Sequence, residues 1–562
     1  MHYSPESNND PRIPITIGIV GHRDLPSEDL PMLRAALQKA LREIKDRFPN
    51  SPLLCVTSLA DGADQLGFDV AHKEQIDNLV ILPMPYKDYL EDFGDNPDHF
   101  ITRWENADQT YILPQISATL ERDLQYESAA SLISSNVHFL IALWDGKSTN
   151  LKGGTGDTVY RRLEPQILDN NVLFNWLCPS RETLKFSETG PLLHIHTRRS
   201  DKENNIPVGK IEWKNPQWLK TKNRKAFFTL MDDHDRLNKD IKNRGTFEID
   251  KYQQLMTKEE LQSLQEEPID ILRFSVLDSL AIRLRKYQRW FLFLMIFLSW
   301  TVLFFYEMYG NSSYDNLNFY MGCYLGTMIL SWLIYKLISH LHWHDRFIDY
   351  RAFSEALRVQ FFWKRYGIQA NVADFCLEEQ IYDLSWIRFG LRSCYLSSLS
   401  NYPININREE VYNLWISGQE AYFKNSRLHN EKYMTLFKKL TPTFLFSGIA
   451  LIILHSILAN IFILGSHSIE TEKYENLLDI ILNVSVILPT IAIVIELFIK
   501  IEGYEEHLNQ YEKMSKVYQK AHSILSDDTI NNSIIMELGK SALTENAFWL
   551  NTHRSKHIQI IM

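Results

Sequence analysis

Four apolar stretches constrain the fold of this chain more than any other feature, because each is long enough to cross a lipid bilayer. They comprise residues 290–306, 317–335, 444–464 and 480–498. A helix needs about 20 apolar residues to span the hydrocarbon core, and each stretch approaches that length. We therefore predict two transmembrane helical hairpins. The alternative, helices buried in a soluble core, is strongest for the last two stretches, of which the fourth contains Pro489 and Glu496.

The basic residues near these stretches predict how the hairpins are oriented. Residues 307–316 contain no Lys or Arg, and Lys473 is the only one in residues 465–479. Lys and Arg are enriched in cytoplasmic loops, so we expect both termini and the central section to be cytoplasmic. The residues that support this orientation are Arg283, Arg285, Lys286, Arg289, Lys336, Arg346, Arg351, Lys424, Arg427, Lys432, Lys438, Lys439 and Lys500.

Short apolar runs alternate with helical periodicity between residues 13 and 165. The runs at 15–20, 53–57, 79–82 and 139–143 have the length of buried strands. This alternation predicts a parallel sheet covered by helices on both faces. The predicted fold class is therefore α/β, with an N-terminal Rossmann-like parallel sheet, followed by an all-α, multi-span membrane domain.

Composition and length complete the outline. The net charge of −10 argues against a nucleic-acid partner, and the five cysteines form no CxxC pair that would indicate zinc or a disulfide framework. A chain of 562 residues should hold several domains. We divide it into a flexible N-terminus (1–12), the α/β domain (13–165), a region that extends or links that domain (166–275), the first hairpin with a cytoplasmic helix (276–368), a cytoplasmic helical region (369–440), and the second hairpin with C-terminal cytoplasmic helices (441–562).

Three of the predicted strands lead into turns of small or polar residues. In parallel α/β sheets, ligands bind beyond the carboxyl ends of the strands. Arg23 is a bidentate partner for an anion, and the glycines before Thr155 open a helix whose N-terminus attracts phosphate. Each turn alone is also typical of an ordinary chain reversal, but together they predict one pocket. The expected ligand contacts are Gly21, His22, Arg23, Ser58, Ala60, Asp61, Gly62, Ala63, Asp64, Tyr126, Trp144, Asp145, Gly146, Gly153, Gly154 and Thr155.

The same turns resemble the SLOG superfamily of Rossmann-like domains, which includes nucleotide hydrolases and sensors of nucleotide-derived signals. The matching stretches are GIVGHR at 18–23, SLADGADQ at 58–65, LWDG at 143–146 and GGT at 153–155. The resemblance implies phosphate contacts from Gly21, Arg23, Ser58, Gly62, Gly153 and Thr155, sugar contacts from Asp61, Asp64 and Asp145, and base stacking on Trp144 or Tyr126.

One departure from the hydrolytic SLOG branch bears on the activity. That branch has a proline-led glycine loop followed by a glutamate, whereas residues 152–160 read KGGTGDTVY and contain no Glu. Asp157 has the wrong spacing to replace it. We therefore predict ligand binding and assign no catalytic residue.

Two histidine clusters raise the question of a metal site. His194 and His196 share one face of a predicted strand, but no nearby carboxylate or cysteine completes a ligand set. On a helix, His340 and His344 would share a face from which His342 points away. We interpret both clusters as structural and predict no metal site.

The membrane part resembles the SLATT group, whose members accompany SLOG sensors in bacterial conflict systems. The resemblance rests on a hairpin followed by YRAFSE at 350–355 and LRVQFFW at 357–363, and on residues 415–419 and 537–549. It implies a sensor-effector, without a cofactor, in the bacterial inner membrane. This protein would bind an ADP-ribose derivative or cyclic nucleotide, oligomerise, and permeabilise or depolarise the bilayer during antiviral defence by abortive infection. An enzyme encoded nearby would make the signal. The alternatives are a membrane-tethered nucleotide or nucleoside hydrolase and a scaffold with a vestigial pocket.

Overall fold

The structure, a computed structural model, describes most of the chain and divides it into two compact units. The first comprises Met1–Leu280, Arg351–Val411 and Asn531–Ala547, and the second comprises Ala281–Tyr350, Tyr412–Ile530 and Phe548–Met562. The described residues are 10–94, 97–115, 121–147, 152–164, 189–199, 207–216, 224–244, 255–257, 268–311, 316–376, 384–399, 407–465, 471–525 and 532–555.

A seven-stranded sheet forms the centre of the first unit, in the order β4-β3-β2-β1-β5-β6-β7. The pairs from β4 to β6 are parallel, and β7 is antiparallel to β6. This confirms the predicted parallel sheet. The strands are β1 (Ile15–Gly21), β2 (Leu53–Thr57), β3 (Asp77–Leu82), β4 (Gln109–Ile112), β5 (Phe139–Trp144), β6 (Leu192–His196) and β7 (Ile211–Lys214).

The sheet continues beyond residue 165, the expected end of the α/β domain. β6 and β7 both come from the region that was expected either to extend or to link that domain. In the described part of residues 166–275, these two strands therefore extend the α/β domain. Residues 165–188, 200–206, 217–223, 245–254 and 258–267 lie outside the described residues.

Helices cover the sheet and complete the first unit. The central strands β1, β2 and β5 are buried along almost their whole length, because helices pack on both faces. The helices of the first unit before the membrane region are α1 (Leu30–Arg47), α2 (Ala63–Lys73), α3 (Tyr86–Leu90), α4 (Asp98–Glu105), α5 (Arg122–Asn136), α6 (Thr155–Leu163), α7 (Arg224–Leu230) and α8 (Asp232–Lys242).

Segments from later in the chain also belong to the first unit. The buried helix α12 (Ser385–Ser397) reaches the sheet, where Ser393 donates a hydrogen bond to the carbonyl oxygen of Pro14. The C-terminal segment contributes Asn546, whose side chain donates to the carbonyl oxygen of Ala352 over 2.8 Å. The first unit is therefore built from three separate pieces of the chain.

Four long helices in the described chain are apolar enough to cross a membrane, as the sequence predicted. At most 11% of the most apolar window of any of them is buried within the protein. Extensive exposed apolar surface of this kind is typical of contact with lipid. The apolar stretches lie in α9 (Ile269–Asn311), α10 (Leu317–Ser339), α13 (Gly418–Gly465) and α14 (Thr471–Glu502). Helix α11 (Trp343–Tyr366) follows α10, α15 (Tyr504–Leu525) follows α14, and α16 (Asn532–Ser555) ends the described chain.

The second hairpin differs from the expectation in one respect and is closely packed. Helix α14 begins at Thr471, within the segment 465–479 that was expected to be a loop. Deeper in the hairpin, α13 approaches α14 at a glycine: a Cβ on Gly448 would lie 2.6 Å from two ring carbons of Pro489. Small residues allow such close helix contacts in membranes.

Candidate functional site

The predicted pocket lies where the strand order reverses. The chain moves outward from β1 through β2, β3 and β4, and then continues on the other side of β1 with β5. β1 and β5 pair in parallel up to Gly21 and Leu143, so both strands end at one edge of the sheet. Such a reversal opens a crevice between the two following turns, which is the usual ligand site in doubly wound sheets. The turns after β1 and β5 are therefore the centre of the candidate site.

His22 joins these two turns. The main-chain N–H of Asp145 donates to His22 Nε2 over 3.1 Å, and Asp145 Oδ1 lies 3.2 Å from the same nitrogen. Burial lowers the pKa of His22, which favours the neutral ring that can accept this N–H. Asp145 also accepts the N–H of Lys147 over 3.0 Å. Both predicted ligand residues are buried and hold the turns in place, a role that the sequence did not indicate.

Arg23 is the exposed cation of the site, with 52% of its side chain accessible. Its guanidinium lies 5.6 Å from the centre of the Tyr126 ring and 3.4 Å from Asp92 Oδ2. Tyr126 and Arg122 also donate hydrogen bonds to Asp92. These contacts orient the guanidinium while about half of the whole side chain stays accessible, so an oxyanion can approach it.

Sequence reasoning missed Asp92 and Arg122, which complete this network. Asp92 lies in the 3₁₀ turn Glu91–Phe93, in an acidic stretch where nothing in the sequence distinguishes it. The end of β3 reaches the same edge of the sheet as the ends of β1 and β2, and this could have indicated that the residues after β3 also lie at the site. Arg122 opens the helix that carries Tyr126, one helical turn away.

The turn after β2 packs against the turn after β1. Gly62 has φ +79°, and a Cβ there would lie 2.4 Å from the carbonyl oxygen of Arg23. The N–H of Ala63 donates to the carbonyl oxygen of His22 over 3.1 Å. Asp64 is buried and accepts the N–H of Ser58 over 3.3 Å, while burial raises its pKa to about 7. Asp64 thus closes the turn from inside the fold.

The glycines before α6 bring a third turn toward Tyr126. Gly153 has φ +71°, and a Cβ there would lie 2.6 Å from the main-chain nitrogen of Glu127 and 2.9 Å from the Cβ of Tyr126. Its own N–H donates to Asp157 Oδ2 over 2.9 Å. Arg161 then links Asp157 to Glu127 on α5. The start of α6, which includes Gly154 and Thr155, is therefore fixed beside the residue that contacts Arg23.

The remaining predicted residues lie in the turn after β2 and at the end of β5. Asp61 is exposed and accepts from Gln65 Nε2 over 2.9 Å, next to the partly buried Ala60. Gly146 is exposed and has φ +82°. Trp144 is 9% exposed, and its Nε1 donates to the carbonyl oxygen of Lys147 over 2.9 Å. Of the two predicted aromatic contacts, Tyr126 is the one that the structure places at Arg23.

Trp144 lies beside His194, one of the two histidines that the sequence analysis interpreted as structural. Its ring centre lies 5.2 Å from that of His194, and the trio His194, His196 and Glu212 has one ligand atom from each residue within 4.8 Å of the others. The statement that no nearby carboxylate completes this set is wrong. Glu212 lies directly across from His194 on the antiparallel strand β7, a pairing that the sequence did not reveal.

Burial and neighbouring charges set the protonation of this trio. Burial lowers the pKa of His194 to about 4, so this ring is a neutral base at physiological pH. Burial acts to raise the pKa of Glu212, but the charge of Lys214 and the contact with His196 outweigh it and lower the pKa. The carboxylate is therefore ionised beside two imidazoles.

Comparison with known proteins identifies no relative. No protein-family model matches the chain, and no match was found among curated proteins or among solved structures. The chemistry of these sites and the four membrane-length helices are therefore the basis for a functional proposal.

Proposed function

We propose that this chain is a membrane-anchored sensor-effector. Its first unit binds a nucleotide-derived second messenger, either an ADP-ribose derivative or a cyclic nucleotide, at the turns after β1, β2 and β5. In response the protein oligomerises and permeabilises or depolarises the bacterial inner membrane as an antiviral defence. The observation that supports this most strongly is an exposed Arg23 between glycine turns at the strand reversal, in a chain that also has four membrane-length helices.

The chemistry of the pocket favours an anionic ligand with a planar base. Arg23 is held by Asp92 at 3.4 Å, a distance at which a phosphate can compete for the guanidinium. Tyr126 lies beside Arg23 and offers an aromatic surface for a base. Gly62 lets the turn after β2 pack directly on the main chain of His22 and Arg23, which brings the two turns of the proposed pocket together.

The proposed response requires the ligand to prefer one state of the protein. A ligand that binds the closed and open forms equally shifts nothing, whereas a near-complete switch needs about 5.5 kcal/mol of differential binding. Assembly of several chains is the simplest source of this difference, because four helices per chain are few for a pore formed by one copy. We therefore place the oligomerisation step between binding and membrane damage.

Calorimetry on the full chain in lipid nanodiscs tests the binding step. ADP-ribose, its cyclic form and cyclic dinucleotides serve as ligands. Loss of charge-assisted hydrogen bonds in Arg23→Ala should weaken binding by roughly 10- to 100-fold. Arg42→Ala is the matched control, because Arg42 is similarly exposed and pairs with Glu74, beyond the C-terminal end of α2 and away from the pocket. Binding by none of the ligands, or equal binding by Arg23→Ala and the wild type, contradicts the proposal.

Dye release from vesicles tests the output. Wild-type protein should release an encapsulated dye only when the bound nucleotide is present, and the Arg23→Ala variant should require a correspondingly higher concentration. Sedimentation of the same samples should show a larger assembly in the presence of ligand. Binding without release or assembly would leave a sensor but remove the effector part of the proposal.

One observation favours the alternative function, a nucleotide or nucleoside hydrolase. Asp64 is close enough to Arg23 for the two charges to interact, and burial raises its pKa to about 7, in the range of a general acid or base. Chromatography of common nucleotides incubated with the protein distinguishes the two functions. A hydrolase releases base or sugar phosphate, and Asp64→Asn abolishes the release, whereas a sensor returns its ligand unchanged.

A further inference from the structure

The antiparallel pair β6–β7 places three metal-binding side chains on one face of the sheet. His194 is directly opposite Glu212 in the strand register. His196 lies two residues along β6 and therefore points to the same side as His194. The two imidazole rings are stacked with their centres 4.0 Å apart.

The two distances from Glu212 to the histidine nitrogens are close to those around a tetrahedral metal ion. Glu212 Oε2 lies 3.3 Å from His196 Nε2 and 3.8 Å from His194 Nδ1. Ligands about 2.0–2.1 Å from a Zn²⁺ ion are separated by about 3.4 Å in a tetrahedron. All three atoms already lie within 4.8 Å of one another, and side-chain rotations that separate the two stacked rings would bring them onto one ion.

His194 supplies an independent sign that a ligand belongs here. Its side chain is 1% exposed, and its Nε2 lies 2.8 Å from the carbonyl oxygen of Trp144. That nitrogen must carry the proton, since a carbonyl oxygen only accepts, and so Nδ1 has a lone pair. Nδ1 has no hydrogen-bond partner although it is buried and faces the other two ligands. A main-chain carbonyl that fixes the tautomer of a metal-binding histidine is a common second layer of such sites.

The set of ligand atoms selects the class of metal. Two imidazole nitrogens and one carboxylate oxygen suit Zn²⁺ and its neighbours, whereas Mg²⁺ and Ca²⁺ prefer sites made of oxygen atoms. Three protein ligands leave a fourth position, and the side chains of His196 and Glu212 are 19% and 44% exposed, so water can reach it. The positive charge of Lys214 disfavours a bound cation, because its Nζ lies 3.8 Å from Glu212 Oε2.

We propose that His194, His196 and Glu212 form a site for a divalent transition-metal ion of the Zn²⁺ type. The ion links β6 to β7, the last two strands of the sheet. The site lies beside the turn after β5, because His194 Cε1 would be 3.9 Å from a Cβ on Gly146. The inference goes beyond the proposed sensing function and does not depend on it, since the metal is expected to bind without any nucleotide.

Titration of the metal-stripped full chain in detergent with Co²⁺ tests this site. One equivalent should bind with the visible absorption bands of a tetrahedral Co²⁺ ion, and Zn²⁺ should displace it. Glu212→Gln and His196→Ala should each weaken binding more than tenfold, since even loss of an outer-layer partner costs 10- to 100-fold. Because both residues are partly exposed, these variants should keep the fold.

Two further variants separate this site from loose binding by other histidines. His72→Ala removes an exposed histidine on α2 and should leave the bound equivalent and its spectrum unchanged. Lys214→Met removes the neighbouring positive charge and should tighten binding severalfold. The proposal is overturned if no stoichiometric Co²⁺ binds, or if Glu212→Gln and His196→Ala bind as the wild type does.

Discussion

Arg162 offers a sharp test of how the sheet is held together away from the pocket. This residue near the end of α6 is fully buried. Its guanidinium donates to main-chain carbonyls of Val137 at 3.0 Å, His138 at 2.8 Å and Pro191 at 3.3 Å, and also to Ser134. One side chain therefore ties the end of α5 to the beginnings of β5 and β6. We expect Arg162→Met to loosen these strands.

The size of the effect follows from the carbonyls that lose a donor. The oxygen of Pro191 keeps the N–H of Leu140 at 3.2 Å, so three carbonyls are affected most. An unpaired buried polar group costs about 1–3 kcal/mol, and removing the buried cation recovers part of the total. Full burial disfavours the charged form of Arg162 and lowers its pKa, so removing this cation also removes a desolvation cost. We expect a net loss of about 3 kcal/mol.

Hydrogen exchange of the full chain in detergent, followed by mass spectrometry, measures this loss locally. A decrease of about 3 kcal/mol should accelerate exchange in β5 and β6 roughly 100-fold where exchange requires opening of this region. Arg42→Met is the control, because Arg42 is 59% exposed and its surface pair is worth about 1 kcal/mol or less. Equal exchange in Arg162→Met and Arg42→Met would refute the reasoning.

Three other changes should affect stability in defined directions. Burial lowers the pKa values of His138 and His234, that of His234 to about 4, and so keeps both rings neutral. Their contribution to the free energy of unfolding should be complete above about pH 6.5 and should decline as the pH falls toward 4. Melting temperatures measured across this pH range test the expectation. Burial and a neighbouring carboxylate raise the pKa of Glu545 to about 7, so stability should instead decline as the pH rises from about 4.5 to 7. Urea midpoints should show Glu545→Gln to be stabilising at pH 8, by on the order of 3 kcal/mol, and neutral at pH 4. Gly21→Ala puts a Cβ 2.4 Å from that of Ala63 and should lower the urea midpoint by the equivalent of about 1–3 kcal/mol; an unchanged midpoint would show that the turns can separate freely.

The central sheet was predictable because its strands are buried on both faces. β1, β2 and β5 are continuous apolar runs, which is the pattern of a covered parallel sheet. β4 and β7 were not predicted, because both are four-residue edge strands whose side chains are half exposed. Short edge strands carry neither a long apolar run nor a clear alternation.

The contacts of the candidate site were predictable where residues lie in turns after strands, and at Tyr126, which the resemblance to SLOG domains indicated. Gly21 ends β1, Arg23 and Gly62 lie in the turns after β1 and β2, and the structure brings these turns together. Asp92 reaches Arg23 from a 3₁₀ turn, and Glu212 reaches His194 through a strand pairing. Such contacts depend on tertiary packing and leave no local pattern in the sequence. Asp145 illustrates the same limit: the sequence analysis expected it to bind a sugar hydroxyl, but it contacts His22 because β1 and β5 pair in parallel.

The three-piece construction of the first unit has a consequence for synthesis. Trp363 donates to the carbonyl oxygen of Ile535 over 3.3 Å, and a Cβ on Gly539 would collide with the same indole. These contacts form only after the ribosome has passed residue 540, when both hydrophobic hairpins have already been made. Because domains generally fold as their segments emerge, the first unit is completed only after both hairpins have been made. A chain cut short after the second hairpin would then carry all four membrane-length helices but would lack the segment of α16 that packs on Trp363, so its first unit would stay incomplete.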